Sequence, residues 1–137
     1  MKPFSVHILA ADNVFYEGPC ESLIVPAVDG QYGILADHSN TISAIVPGAL
    51  TYRIPGGSDQ IAAVSAGLVK IEDNDVLVLV DTAERPEDID ANRARRAADE
   101  AKEAILQKRS MQEYQAAQVN LARAINRLRI KRMFGGE

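Results

Sequence analysis

The sequence predicts an antiparallel β-sandwich followed by an antiparallel two-helix hairpin, with the change of architecture near residue 84. Three observations carry that expectation. Up to about residue 83 apolar residues recur in short runs with a period of two, as they do along half-buried strands. Beyond Pro86 the spacing lengthens to three and four, the period of a helix with one apolar face. Charge divides at the same point. Residues 1–84 hold 3 basic and 11 acidic groups, a net of −8, whereas residues 85–137 hold 12 and 8, a net of +4. The split implies two modules, 1–84 and 85–137, with different partners.

The first module opens with "FSVHI", in which Phe4, Val6 and Ile8 alternate with Ser5 and His7. The runs "SLIVPA", "GILA", "TISAIV", "ALTYRI", "QIAAVSA", "LVKI" and "VLVLV" follow. Turn chemistry separates them at Asp12–Asn13, Glu17–Gly18–Pro19, Asp29–Gly30, Pro47–Gly48, Pro55–Gly56–Gly57 and Asp73–Asn74. Short strands at this spacing read as an antiparallel sandwich or barrel. Val76 to Val80 is apolar on both faces, so one face is expected in the core and the other under a helix or a partner.

In the second module Pro86, with Glu87, Asp88 and Asp90, reads as a helix start. No Gly or Pro interrupts Ile89 to Lys108, and Ala94, Ala97, Ala98, Ala101, Ala104 and Ile105 form an alanine-rich stripe. The pattern resets around Arg109–Ser110. A second helix then carries Tyr114, Ala117, Leu121, Ala124 and Leu128 in a seam for one partner helix, and Gly135–Gly136 ends it. Alanine against alanine allows close approach but buries little area, so the hairpin is expected to open at low cost.

Composition excludes several classes. The 137 residues suffice for one modest domain with an appendage, and 47% are apolar. No stretch approaches the ~18 apolar residues of a membrane-spanning helix, and "MKPFSVHILAADN" lacks a signal-peptide pattern. The single cysteine, Cys20, rules out an internal disulfide and a cysteine-based metal cluster, and a buried inert thiol is expected. Phosphate-binding glycine loops, nucleophile elbows and HExxH are absent, so no catalytic residue and no metal site are assigned.

Two stretches stand out. "PAVDGQYGILADHSN" places Asp29, Gly30, Gln31, Tyr32, Gly33, Asp37 and His38 in one turn-rich segment. It reads as a docking contact, as a plain loop, or as a metal or catalytic cluster of Asp29, Asp37 and His38. His7 reads as a surface or partner-facing histidine. Between Tyr114 and Phe134 lie Arg123, Arg127, Arg129, Lys131 and Arg132 with no acidic residue. This basic stretch suits an acidic protein partner or a solvated face. Nucleic acid is disfavoured, because aromatics are not interleaved with the charges and the chain is acidic overall.

"DGQYGILADH", "VPGAL", "AVSAGLVKIEDNDVLVLVDTAER" and "IDANRA", in this order, closely resemble the epsilon subunits of F-type rotary ATP synthases, from Phe4 to Met133. The resemblance implies a ten-stranded sandwich plus hairpin. It implies a non-catalytic central-stalk rotor subunit of the proton-translocating enzyme that joins the gamma subunit to the c-ring and inhibits ATP hydrolysis through its helices. The subunit would sit on the cytoplasmic face of the cell membrane, or an equivalent energy-transducing membrane, peripherally and through the complex alone. Gly30, Gln31, Tyr32 and Gly33 correspond to the loop that faces the c-ring, and His38 to the contact with gamma. Gln31 stands where glutamate is frequent in the family, and Ala36 and Asn40 where proline is common, which implies a neutral contact and a less rigid loop.

"IDANRA" is similar to the motif of family members that bind ATP in the folded hairpin. By position, Ile89, Asp90, Arg93 and Ala94 match the first helix, and Arg123 and Arg127 the second. ATP is thus implied as a regulatory ligand, with no cofactor required; an intrahelical ion pair between Asp90 and Arg93 is the alternative. The resemblance further implies that Arg123, Arg127, Arg129, Lys131 and Arg132 meet an acidic segment of the catalytic β (and α) subunits. A free-standing ATP-sensing interaction protein with a switchable hairpin is the competing reading.

Overall fold

The computed structural model describes residues 2–107 and 110–135. The chain divides into two compact units, Met1–Glu84 and Arg85–Glu137.

The first unit contains ten strands: β1 (Phe4–Ala10), β2 (Val14–Cys20), β3 (Ser22–Ala27), β4 (Gly30–Ile34), β5 (Thr41–Ile45), β6 (Gly48–Arg53), β7 (Asp59–Val64), β8 (Gly67–Glu72), β9 (Asp75–Val80) and β10 (Ala83–Glu84). They form two five-stranded sheets, ordered β2-β1-β9-β8-β5 and β10-β7-β6-β3-β4. One ladder departs from the expected antiparallel pattern: β1 and β9 run parallel, Ser5 opposite Asp75 through Ala10 opposite Val80. The reason lies in the chain path. β9 spends one edge on its hairpin with β8, and β1 closes the other edge running in the same direction.

Alternation then does what period two requires. Phe4, Val6, Ile8, Val69, Ile71, Val76, Val78 and Val80 of one sheet meet Leu23, Val25, Ile34, Leu50, Tyr52, Ala62 and Val64 of the other in a single core. Each fully buried aliphatic side chain contributes about 1.5–3 kcal/mol, so the sandwich has ample means to stand alone. In "VLVLV" the valines point inward, and Leu79 on the opposite face remains 39% exposed. Cys20 is buried, donates from Sγ to the Ser22 carbonyl at 3.0 Å, and its thiol is pushed up by burial.

Turn chemistry sets the registers. Asp73 and Asn74 both have positive φ, 49° and 63°, in the two-residue loop between β8 and β9, the backbone of a hairpin turn whose twist matches its strands. At Gly67 a Cβ would fall 1.9 Å from the Leu79 carbonyl oxygen, so only glycine lets β8 approach β9 there.

In the second unit, Pro86–Asp88 forms a single 3₁₀ turn, and two helices follow, α1 (Ala91–Gln107) and α2 (Met111–Phe134). The helix expected to begin at Pro86 therefore begins later. Ile89 is extended (φ −76°, ψ 125°), and the Asp90 carboxylate accepts the Arg93 backbone N–H at 3.1 Å, capping α1. Ser110 caps α2 by accepting from the Glu113 N–H at 3.0 Å. At the other end the Gly135 N–H donates to the Lys131 carbonyl. The parts of these expectations that fall on Lys108, Arg109 and Gly136 lie outside the described residues. Packing between the helices is as sparse as the alanines imply: Ala94, Ala98 and Ala101 are the buried residues of α1. In α2 Ala117 and Ala124 of the predicted seam are buried and Tyr114, Leu121 and Leu128 half-buried, while Asn126 and Ile130, outside that seam, are buried too.

Candidate functional site

Three places hold the chemistry that the sequence singles out. The first is the loop region of β3 and β4. Val28 and Asp29 make a two-residue connection, and Gly30 (φ 120°) opens β4 opposite Ala27. A Cβ at Gly30 or Gly33 would meet open space. Gly30 is thus demanded by its backbone, whereas Gly33 simply leaves the strand bare. Gly30, Gln31 and Gly33 are exposed, and Tyr32 is half-buried.

His38 is held in place from both ring nitrogens. Its Nδ1 lies 2.9 Å from the Ser39 carbonyl, which can only accept, so Nδ1–H donates there, and Nε2 is hydrogen-bonded to the Tyr32 hydroxyl at 3.0 Å. Asp37, in turn, is occupied. Its carboxylate takes Lys2 Nζ at 2.9 and 3.1 Å and Asn74 Nδ2 at 3.0 Å. These hydrogen bonds, that of Asn74 foremost, hold its carboxyl below the usual range. Asp37 therefore pins the loop to the β8–β9 turn. Among the described residues no three His, Cys, Asp or Glu side chains, Asp29, Asp37 and His38 included, converge to hold a metal ion.

The second place is His7, on the outer face of the first sheet. Nδ1 lies 2.7 Å from Glu17 Oε2 and Nε2 lies 3.0 Å from Asp75 Oδ1, so one ring clasps β2, β1 and β9. Carboxylates only accept, and both contacts can be donated to only by an imidazolium. The hydrogen bond to Glu17, helped by Asp75 and opposed by burial, raises the His7 pKa above 6.5.

The third place is a groove of about 420 Å³ between the two helices, within the size range of small-molecule sites. Its floor is methyl groups, among them Ala97, Ala101, Ala117 and Ala124, and its polar rim is Glu100, Glu113, Asn120, Arg123 and Arg127. Of the six residues carried over as a nucleotide site, Arg123 and Arg127 line it. Ile89 and Ala94 are buried packing residues, at 3% and 0% exposure. Asp90 caps α1, and that bond to the Arg93 N–H is the main reason its carboxyl lies below the usual range. The Arg93 side chain is exposed. The expected Asp90–Arg93 contact thus exists as a helix cap, through backbone rather than guanidinium. Glu100, which with Asp99 was expected to count against tight nucleotide binding, lines the groove; Glu113 and Asn120 were not anticipated. The signal was present in the repeat of three and four that runs 113, 117, 120, 124, 127 along one face of α2.

The five cations of α2 do not share one face. At ~100° per residue, Arg123, Arg127 and Lys131 fall within about 80° of one another, and Arg129 and Arg132 lie roughly 120° and 180° away from Arg123. Lys131 Nζ donates to the Glu87 carbonyl at 3.3 Å and Arg129 to Asn126 Oδ1 at 3.1 Å, while Arg132 is exposed. One basic face was expected; helical geometry makes two.

Both units have relatives. Residues 3–86 match the β-sandwich domain of the ATP synthase delta/epsilon chain, and residues 87–132 match the long α-helix domain of that chain. The chain belongs to the ATP synthase delta/epsilon family. Among curated members of the family, the ATP synthase epsilon chain of Ruminiclostridium cellulolyticum is 40% identical, over 93% of this chain and 95% of the relative. That of Caldanaerobacter subterraneus is 38% identical over 94% of each. Among solved structures, a chain of the Euglena gracilis mitochondrial ATP synthase (OSCP/F1/c-ring) superposes with a TM-score of 0.73 at 21% identity, covering 88% of this chain and 76% of its own length. A chain of the Tetrahymena thermophila mitochondrial ATP synthase central stalk and c-ring gives 0.65 at 12% identity, covering 93% and 95%. At these identities the superpositions establish a shared fold. No described helix of this family member is long and apolar enough to cross a membrane.

Proposed function

We propose that the chain is a non-catalytic rotor subunit of a proton-translocating ATP synthase. It joins the gamma subunit to the c-ring through its sandwich and restrains ATP hydrolysis through its helices. The observation that carries this is the match of both units, in order, to the two domains of one ATP synthase chain. Gly30, Gln31, Tyr32 and Gly33 present an uncovered strand end to the c-ring loops, and His38, fixed by Tyr32 and Ser39, meets gamma. Attachment at the cytoplasmic face of the membrane is through these subunits alone. Pull-down of the tagged full chain from native membranes, read by mass spectrometry, tests it. Gamma, the c subunit and the catalytic β and α subunits are the expected company; their absence refutes the reading.

ATP is the proposed regulatory ligand of the hairpin. The support is a methyl-floored groove with two arginines on its rim, since guanidinium groups pair well with phosphate. Ile89, Asp90 and Ala94 contribute by building the start of α1, and Arg93 lies exposed beside it. A charge-assisted hydrogen bond is worth about 1.5–3 kcal/mol, so Arg127→Ala should weaken ATP at least about tenfold. Calorimetry on the intact chain tests this, and absence of binding at several millimolar ATP refutes it.

A further inference from the structure

The connection from β4 to β5, residues 35–40, crosses from one sheet of the sandwich to the other and carries His38. It contains neither proline nor glycine, so no residue of its own stiffens it as a proline would. Its backbone is instead held on both sides of His38 by the turn between β8 and β9. Before the histidine, the Asp37 N–H donates to Asn74 Oδ1, and the Asp37 carboxylate accepts Asn74 Nδ2 at 3.0 Å. One carboxamide thus grips the backbone and the side chain of a single residue. After the histidine, Asn40 Oδ1 accepts the Asp73 N–H at 3.0 Å. The ring is tied to Tyr32 of β4, in the opposite sheet. Backbone angles mark the same spot. Among the described residues, the non-glycine residues with positive φ are Asp37, Asp73 and Asn74, at 66°, 49° and 63°. Asp73 and Asn74 form the hairpin turn, which calls for such angles. Asp37 stands outside that hairpin, in a left-handed conformation that its surroundings must hold in place.

We propose that Asn74 is a positioning residue: acting through Asp37, it holds residues 35–40 in the conformation that presents His38 to a partner. The proposal rests on the reading of His38 as the contact with gamma, and it adds a residue on a separate turn that sets the strength of that contact. A loop that samples several conformations binds with its affinity reduced by the fraction in the competent one. Asn74 supplies two hydrogen bonds, both exposed to solvent and one of them to a carboxylate. A net hydrogen bond shifts an equilibrium by about two- to tenfold, so loss of the grip should weaken docking about three- to tenfold. The pair can be broken and rebuilt. Asn74→Asp removes the Nδ2 donor and sets one carboxylate against another, in a residue type that tolerates the same φ. Adding Asp37→Asn restores the pair with its polarity reversed. Asp37→Asn alone keeps an oxygen for Asn74 Nδ2 to donate to and loses only the charge facing Lys2.

The test is calorimetry of the full chain against the gamma subunit, with the backbone amide heteronuclear Overhauser effect of residues 37–40 measured in the free chain. The set is wild type, Asn74→Asp, Asp37→Asn, the double variant and Asn74→Gly, in which glycine suits the φ of position 74 and provides a second loss variant should the first fail to fold. Asn74→Asp and Asn74→Gly should each weaken gamma binding about three- to tenfold and lower the Overhauser effect at residues 37–40. The double variant should bring the Overhauser effect back to the wild-type level and the affinity to within about twofold of it, and Asp37→Asn alone should stay within about twofold. Full affinity in both loss variants overturns the proposal and leaves the docking reading standing. Weakened binding that the double variant does not recover overturns it as well, because Asn74 would then act by a route other than Asp37. An Overhauser effect that both loss variants leave unchanged overturns it too. A wild-type chain that does not bind gamma takes down the docking reading and the proposal with it.

Discussion

Replacing Ala98 by leucine should open the hairpin and leave the sandwich untouched. Ala94, Ala98 and Ala101 are the fully buried side chains of α1, and α2 is the element α1 packs on. At about 0.8 kcal/mol per buried methyl, these three with Ala117 and Ala124 of α2 hold the helices with roughly 4 kcal/mol. Ala98 is 5% exposed, so leucine must push three further carbons into a contact closed around one, and such overpacking costs typically about 1–3 kcal/mol. Cost and holding energy are thus of the same order. Every ~1.4 kcal/mol is a factor of ten, so amide exchange across α1 should accelerate by about tenfold or more. Hydrogen exchange on the full chain reads this out, with Lys102→Leu, an exposed site on the same helix, as the control for helix propensity. Strands β1 to β9 should keep their protection, because their core belongs to the first unit. Unchanged protection of α1 would refute the sparse-packing argument. Loss of protection in the sandwich would refute the independence of the units.

Further expectations follow from the same geometry. The His7 pKa is raised above 6.5 in the fold, so the clasp stabilises fully below the unfolded value and that stability is lost as pH rises through the folded one. The melting-temperature advantage of wild type over His7→Gln should therefore shrink from pH 6 to pH 9, and Glu17→Gln should lower the His7 pKa by NMR titration. A chain ending at Glu84 should unfold cooperatively and bind the gamma subunit with the affinity of the full chain, measured by calorimetry, while losing inhibition of hydrolysis. Because Arg129 and Arg132 lie away from the groove, replacing both with Ala should relieve inhibition in the reconstituted complex at low ATP and leave calorimetric ATP affinity within about twofold. Arg127→Ala should change both.

The sandwich was legible because its signal is local: period-two runs, and turns such as Asp73–Asn74 whose positive φ angles suit exactly those side chains. The parallel pairing of β1 with β9 was not, since seventy positions separate partners such as Ser5 and Asp75 and nothing in either strand fixes direction. At Pro86 the composition of a helix start was present, yet Asp90 competes for the same role and wins through its bond to the Arg93 N–H. The ligand residues were only half legible. A motif names residue types, but a side chain such as Asp90 that satisfies backbone donors of its own helix is thereby committed to structure. Glu100 was visible as a charge in sequence, and only the facing of α1 and α2 makes it part of the groove.

The division of the α2 cations also changes how nucleotide and inhibition communicate. Had all five shared one face, ATP would compete with the inhibitory partner for the same guanidinium groups. With Arg123 and Arg127 on the groove and Arg129 and Arg132 turned away from it, the two events meet chiefly in the equilibrium between closed and open hairpin. Under the proposed function, ATP would bind the closed form and the inhibitory partner would take the open one. Coupling between them is then set by how much more tightly ATP binds the closed form than the open one. Linkage demands that the factor by which ATP weakens the inhibitory contact equal the factor by which that contact weakens ATP. Ala98→Leu consequently has a signature that substitution of an arginine lacks. It should weaken ATP and strengthen inhibition together, because both read the same opening equilibrium, whereas Arg129 and Arg132 replacements should move inhibition alone. Inhibition that stays unchanged in Ala98→Leu while its ATP affinity falls would break that link.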